Sequence, residues 1–464
     1  MLSVLGQRSS RRHALMQIGA LGGTGLTLAD RLKAETARST NPAVSDRAVI
    51  LLFLHGGPSQ IETFDPKMSA PSGIRSVTGE LQTSVPGITF GGSFPRLAQR
   101  ANKFSIVRSF TTGNGNHDIK PVVSSHSDGA SLGAMYSRVA GLNHPTNGLP
   151  TNVTLFPRAI DSDRQPANQT FGRFDSTGDL GKVFGPFVPG SDGPVQENMK
   201  LALPEDRLGD RRSLLSALDV LHRHMDASGQ MDGTDRFRQQ AYDTILGGAA
   251  EAFDLSQESA SIVRSYDTAP MLPPDRIDRK WNNYKNYVDN AKTLGRLLLM
   301  ARRLVERGCG FVTVTTNFVW DMHADVNNAT MEEGMRYMGE PLDYALSAFI
   351  DDVDDRGLRD QVMLVCCGEM GRSPRINANG GRDHWGGLAP LLMYGGGIRP
   401  GAVIGQSTRD AAGPLTEAWG ISNLMGTIFH NVMDLGQIRL QSHLPTDLIR
   451  TLTSCRPIDG VLTT

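Results

Sequence analysis

The sequence predicts a doubly wound α/β protein with a mostly parallel central sheet and a helical insertion. Short apolar runs without polar alternation recur along the chain, beginning with Ala48-Val49-Ile50-Leu51-Leu52-Phe53-Leu54. Unbroken runs of this length suit parallel strands buried on both faces. Amphipathic helical stretches lie between the runs, and the two clearest are followed by a glycine. Helix, short turn and buried strand in repetition describe an α/β sheet with helices on both faces.

Taken in order, the chain starts with a targeting segment over residues 1–38. Ser10-Arg11-Arg12-His13-Ala14-Leu15-Met16 leads into a mild apolar stretch from Gln17 to Leu28. A basic start before a short apolar region is a sorting signal rather than part of a fold. The consecutive arginines resemble a twin-arginine export signal. Export by that machinery to the periplasm or cell exterior is therefore expected, with cleavage near Ala34 to Ala37. Residues 39–464 then read as one domain.

Strands are expected at Ala48–Leu54, Phe104–Val107, Phe311–Thr315, Val362–Val365 and Pro390–Tyr394. Between them, Ala291 to Val305 puts Leu294, Leu297, Leu298, Ala301, Leu304 and Val305 on one helical face and ends at Gly308, a plausible cap. Pro341 to Val353 is a second helix, followed by Gly357. Residues 158–200 are rich in Gly, Pro, Asp and Ser and read as long loops. Residues 200–290 are polar and helical with no buried strand. They are expected to form an insertion, with the character of a lid over a site.

Composition narrows the function classes. The 464 residues carry 47 Lys+Arg against 48 Asp+Glu, which excludes a generally basic nucleic-acid binder. Residues 1–38 hold six Lys/Arg and two Asp/Glu, so the rest carries 41 against 46, a net charge of −5. Hydrophobic residues at 39% and charged residues at 20% exclude a disordered chain. No apolar run reaches the roughly 18 residues a membrane span needs, so stable membrane insertion is not expected. The adjacent Cys366 and Cys367 sit in an apolar run, where strand neighbours point to opposite faces. They read as core residues and not as ligands of one metal.

Ligands of open α/β sheets bind outside the carboxyl ends of the strands, and polar clusters gather at those places. His55-Gly56-Gly57-Pro58-Ser59, then Glu62 and Asp65, follow the first strand. Trp320-Asp321-Met322-His323-Ala324-Asp325 follows the Phe311 strand, and Gly368-Glu369-Met370-Gly371-Arg372 the Val362 strand. Arg382-Asp383-His384-Trp385 precedes the Pro390 strand. Asp, Glu and His are ligands for Zn²⁺ and similar divalent ions. Arg372, Arg375 and Arg382 add cations that can fork onto a phosphate or sulfate. After the Phe104 strand, Arg108 to Asp118 is a run of hydroxyls and amides with His117, leading into Ser124, Ser125 and His126. Such a run can carry a nucleophile but is also ordinary turn chemistry. His144, His222, His224, His430 and His443 read as structural or surface residues.

The motifs together resemble one family. Leu54-His55-Gly56-Gly57-Pro58-Ser59-Gln60, Thr63-Phe64-Asp65-Pro66-Lys67, Trp320-Asp321-Met322-His323, Gly368-Glu369-Met370-Gly371-Arg372-Ser373-Pro374 and Gly381-Arg382-Asp383-His384-Trp385 are similar to the domain-of-unknown-function 1501 family. That family is grouped with the alkaline phosphatase and sulfatase superfamily. The resemblance implies an α/β core of that type with a divalent metal site, Zn²⁺ first and Mn²⁺, Ca²⁺ or Mg²⁺ as alternatives. It implies Asp321, His323 and His384 around one ion and Glu369 at another. His55 stands where the superfamily has an acid, with Asp65 as the alternative. No Ser or Thr clearly matches the superfamily's nucleophile context; Thr112 is the candidate nucleophile, and Arg372 a candidate catalytic cation. The sulfatase signature Cys-x-Pro-x-Arg is absent. The implied activity is hydrolysis of a phosphate or sulfate ester, on a small molecule or a polysaccharide. The alternatives are a noncatalytic exported binding or assembly protein and a phosphomutase-like transferase.

Overall fold

The computed structural model describes residues 41–190 and 249–463. The expected export segment, His222, His224 and most of the expected insertion lie outside them. Strands are β1 (Ala48–Phe53), β2 (Glu80–Gln82), β3 (Thr89–Gly91), β4 (Phe104–Val107), β5 (Asn152–Leu155), β6 (Phe311–Val314), β7 (Val362–Cys367), β8 (Gly371–Ile376), β9 (Arg382–Trp385), β10 (Leu391–Tyr394) and β11 (Val403–Ile404). Seven of them form the central sheet in the order β11-β4-β10-β7-β1-β6-β5. β1 lies parallel to both β6 and β7, β5 is parallel to β6 and β11 to β4, and β10 alone runs antiparallel. The sheet is thus mostly parallel, as the apolar runs predict. β5 and the small edge strands, which mix polar residues into short segments, carry no such signal.

Helices cover both faces. The main ones are α1 (Leu132–Ala140), α2 (Tyr284–Glu306), α3 (Glu340–Asp355) and α4 (Ile421–Val432). Side-chain alternation along β1 divides the core. Ile50 and Leu52 pack with Leu294, Leu297, Leu298, Ala301 and Leu304 of α2 and with α3. Val49, Leu51 and Phe53 pack with Met135 of α1 and Leu424 and Ile428 of α4. Cys366 lies in the first core and Cys367 in the second, so the two thiols face apart as expected. Among the described residues no helix is long and apolar enough to cross a membrane.

The described end of the expected insertion belongs to the body of the domain. Residues 249–283 form short turns and one six-residue helix, Ala260–Ser265. Phe253, Tyr266, Leu272 and Ile277 are buried in the first core. A buried ion network fastens them down: Arg303 Nη1 lies 2.6 Å from Glu258 Oε1, and Arg356 Nη2 lies 3.1 Å from Glu258 Oε2. Arg302 Nε donates to Asp352 Oδ2 at 2.9 Å. Glu258 is the residue of this described stretch that enters the network.

Burial alone pushes the Glu258 carboxyl up, but the Arg302, Arg303 and Arg356 guanidiniums outweigh it and hold it at about 2. A carboxyl lowered from its ordinary 4.5 to about 2 stabilises the fold above pH 4.5, and that stability is lost as pH falls towards 2. The shift corresponds to on the order of 3 kcal/mol. Glu258→Gln is therefore expected to lower the urea midpoint at pH 7, with the difference from wild type closing as pH drops from 5 to 3. A difference that stays constant with pH contradicts this assignment.

Candidate metal centre

The sheet topology explains how distant chain segments meet. β1, β6, β7 and β4 run the same way, so the segments after them emerge at one edge. β10 runs the other way, so the β8–β9 hairpin shortly before it reaches the same edge. In that hairpin Arg372 and His384 are cross-strand partners, and both side chains reach Asp321.

Asp321 is the hub. Its position depends on Gly56, whose φ of +115° suits glycine, and a Cβ there would lie 2.5 Å from the Asp321 nitrogen. The Val319 and Trp320 N–H groups donate to the His55 carbonyl at 3.1 and 3.0 Å, docking the segment after β6 against the segment after β1. Asp321 Oδ1 accepts from Arg372 Nη2 at 2.6 Å. The same oxygen lies 3.3 Å from His384 Nε2 and 3.5 Å from His117 Nε2. Asp321 Oδ2 lies 3.0 Å from His323 Nε2 and accepts from Asn328 Nδ2 at 3.0 Å. Burial opposes its charge, but Arg372 and the three histidines hold the carboxyl far below the usual carboxylate range. It is an anion at any physiological pH.

His117, Asp321 and His384 each offer a ligand atom, all within 4.8 Å of one another. Around them are buried polar atoms that make no hydrogen bond among the described residues: Glu369 Oε2, both ring nitrogens of His55 and His117 Nε2. Leaving such atoms unpaired is costly, and a cation beside them would satisfy acceptor atoms such as Glu369 Oε2 and one nitrogen of an imidazole ring. Glu369 Oε1 is spent on the Gly56 N–H at 2.8 Å and His117 Nδ1 at 3.1 Å. That contact orients the His117 ring, as a carboxylate behind a ligand histidine commonly does. Phe171 and Phe318 pack against both His55 and His117, with ring centroids 4.7–5.8 Å apart. The donor set of imidazoles and carboxylates beside an apolar wall fits a divalent ion such as Zn²⁺.

The protonation states agree with a metal centre. Burial holds His55 down at about 4, so its ring is neutral at pH 7. Burial also works against a charged His117, yet Asp321 and Glu369 raise its pKa above the ordinary value. Asp321 raises His323 likewise. A cation must compete with the protons on these rings. Zinc affinity is therefore expected to rise from pH 6 to pH 8, checked by chelator competition at the two pH values. An affinity independent of pH over that range contradicts the assignment.

The residues singled out from sequence thus divide. His55, Asp321, His323, Glu369 and His384 gather at one edge, although His323 meets the carboxylate oxygen of Asp321 that faces away from the His117–His384 pair. Asp65 is not among them: it pairs with Lys67 Nζ at 3.1 Å, with Arg108 at 3.6 Å and with the Ser407 hydroxyl. The chain turns back after Phe64, and those cations claim its charge. Thr112 does not hydrogen-bond to the cluster, since its hydroxyl donates to the Asn114 carbonyl at 3.4 Å. Arg372 is fully buried and committed to the Gly56, Gly57, Trp320 and Arg382 carbonyls as well as Asp321, so it positions Asp321 and presents no fork to a ligand. Arg382 is likewise buried, paired with Glu62 at 2.8 Å. His117 is the residue that sequence reasoning left in a turn-like run. The signal that could have found it is its place after β4, on the same strand edge as the others.

A comparison with curated proteins finds no match. Solved structures with related architecture include the PsFucS1 sulfatase from Pseudoalteromonas sp., at 10% identity over 87% of this chain and 70% of that one, TM-score 0.34. The lipoteichoic acid synthase LtaP from Listeria monocytogenes aligns at 8% identity over 85% and 76%, TM-score 0.30. The phosphonate monoester hydrolase SpPMH from Silicibacter pomeroyi aligns at 11% identity over 83% and 72%, TM-score 0.27. Over residues 46–438 the chain matches the family described as "Protein of unknown function (DUF1501)", and it belongs to that family.

Proposed function

We propose that the chain is an exported, metal-dependent hydrolase of phosphate or sulfate esters. The observation that carries this reading is the convergence of His117, Asp321 and His384 beside the unpaired Glu369 Oε2 and His55 nitrogens. His117, Asp321 and His384 would hold the ion, with Glu369 and His55 beside it. When bound, a divalent ion polarises an ester oxygen and lowers the pKa of a water towards neutrality. The protein supplies the rest. Asp321 stays anionic because Arg372 lies against it. Glu369 fixes the orientation of His117. His323 holds a proton at Nε2 against Asp321 Oδ2, where its raised pKa keeps it protonated further towards neutral pH. Phe171 and Phe318 pack against the His55 and His117 imidazoles as an apolar wall. The twin-arginine motif supports export, and the motifs from Leu54 to Gln60 and from Gly381 to Trp385 support the ester class through their family resemblance.

One observation favours a second reading, a noncatalytic binding protein that keeps the ion for stability. Among the described residues no side-chain hydroxyl hydrogen-bonds to the cluster, and Arg372 and Arg382 are consumed by the scaffold. Turnover separates the two. Zinc-loaded full chain is assayed on a panel of aryl phosphates and aryl sulfates. The hydrolase reading expects turnover that disappears in Asp321→Ala and His384→Ala. Bound metal at background, or turnover unaffected by both substitutions, overturns it.

A further inference from the structure

The loop that delivers His117 is held from within by one buried ammonium. Among the described residues, none from 114 to 118 takes part in a backbone–backbone hydrogen bond. The neighbouring Thr112 and Gly113 N–H groups anchor to the Gly386 carbonyl, both at 3.2 Å. A Cβ on Gly115 would lie 3.1 Å from the Cβ of His384, so the loop lies directly on the strand that carries His384. Lys120 is only 4% exposed. Its Nζ donates to Asn114 Oδ1 at 2.9 Å, to the Asn116 carbonyl at 3.2 Å and to Asp118 Oδ1 at 2.7 Å. An ammonium has three protons, and here all three are used within residues 114–118, on both sides of His117.

Burying a lysine is costly unless its charge is paired and its donors are met. Here the compensation comes almost wholly from the His117 loop. Among the described residues, Asp118 is the only carboxylate in contact with Lys120, and its side chain is 48% exposed. The ammonium therefore joins no pair of secondary-structure elements, unlike Arg302 or Arg382. What it fixes is the curvature of the loop, and with it the point from which the His117 ring extends to Glu369 and Asp321.

We infer that Lys120 is a positioning residue for the metal centre: it holds residues 114–118 in the bend that places His117 among Asp321, Glu369 and His384. This inference rests on the metal reading above. Removing a partner that orients a metal ligand typically weakens metal binding 10–100-fold.

The test measures zinc affinity of the full chain by competition with a chromophoric chelator, alongside thermal unfolding of the zinc-free protein. Lys120→Met is expected to weaken zinc binding about tenfold or more. Asp118→Asn, at a half-exposed position that the fold tolerates, should weaken it in the same direction by less, and carries the test if Lys120→Met does not fold. In a His117→Ala background, Lys120→Met should cause no further loss, because Lys120 acts only through that ring. A general structural role would instead give additive losses. Wild-type zinc binding that survives Lys120→Met and Asp118→Asn, or losses that add in the double mutant, overturns this inference and leaves the metal reading standing. Wild type binding zinc no better than His117→Ala overturns both.

Discussion

Asp321→Ala is expected to reduce bound zinc to background and ester turnover by about a thousandfold or more. The carboxylate contacts three histidines of the centre: His117, His323 and His384 lie within 3.0–3.5 Å of its oxygens. Losing it removes both a ligand and the anion that balances the ion. If the centre contributes several kcal/mol to the reaction, at about 1.4 kcal/mol per tenfold, a loss of that size follows. His384→Ala removes a ligand at the more exposed rim, so it should reproduce the loss of metal with a smaller cost in stability. Metal content and turnover are read on both. Wild-type metal content in Asp321→Ala contradicts the prediction.

Arg372→Met should have the largest effect on stability. The substitution keeps most of the volume but strands a buried carboxylate and four carbonyls, of Gly56, Gly57, Trp320 and Arg382, that the guanidinium now satisfies. Breaking a buried ion pair by removing one partner costs about 3–5 kcal/mol. The uncompensated Asp321 then takes up a proton more readily, because the strongest charge holding its pKa down is Arg372. The urea midpoint is expected to fall markedly with an unchanged slope, and zinc affinity to fall with it. A midpoint within error of wild type would show that Arg372 is not the support described here, and would return it to the role of a ligand-binding cation.

These two residues show where the sequence is legible. Asp321, Glu369 and His384 stand two to seven residues from buried strands, where a short connection fixes the side of the sheet on which they emerge. His55 benefits from the same rule, following β1 after a single residue. Asp65 lies ten residues further on, and over that distance nothing in the sequence tells that Arg108 and Lys67 will claim it. His117 is equally far from β4. Its loop of Asn, Gly and Thr looks like turn chemistry because it is turn chemistry, held together by a lysine whose burial no periodicity reports. Whether an arginine faces solvent or carbonyls is likewise decided by tertiary packing, so the scaffold role of Arg372 could not be read from its motif. Within residues 249–283, Glu258 misleads for a related reason: its charge is buried against Arg302, Arg303 and Arg356, and composition does not distinguish a paired charge from a solvated one.

Anomalous diffraction at the zinc edge, from crystals of the zinc-loaded protein, tests the metal centre most directly. A peak about 2.0–2.2 Å from His117, Asp321 and His384 ligand atoms, vanishing in His384→Ala crystals, is the predicted result. The same side chains well ordered around no anomalous density, in crystals grown with excess zinc, would contradict it.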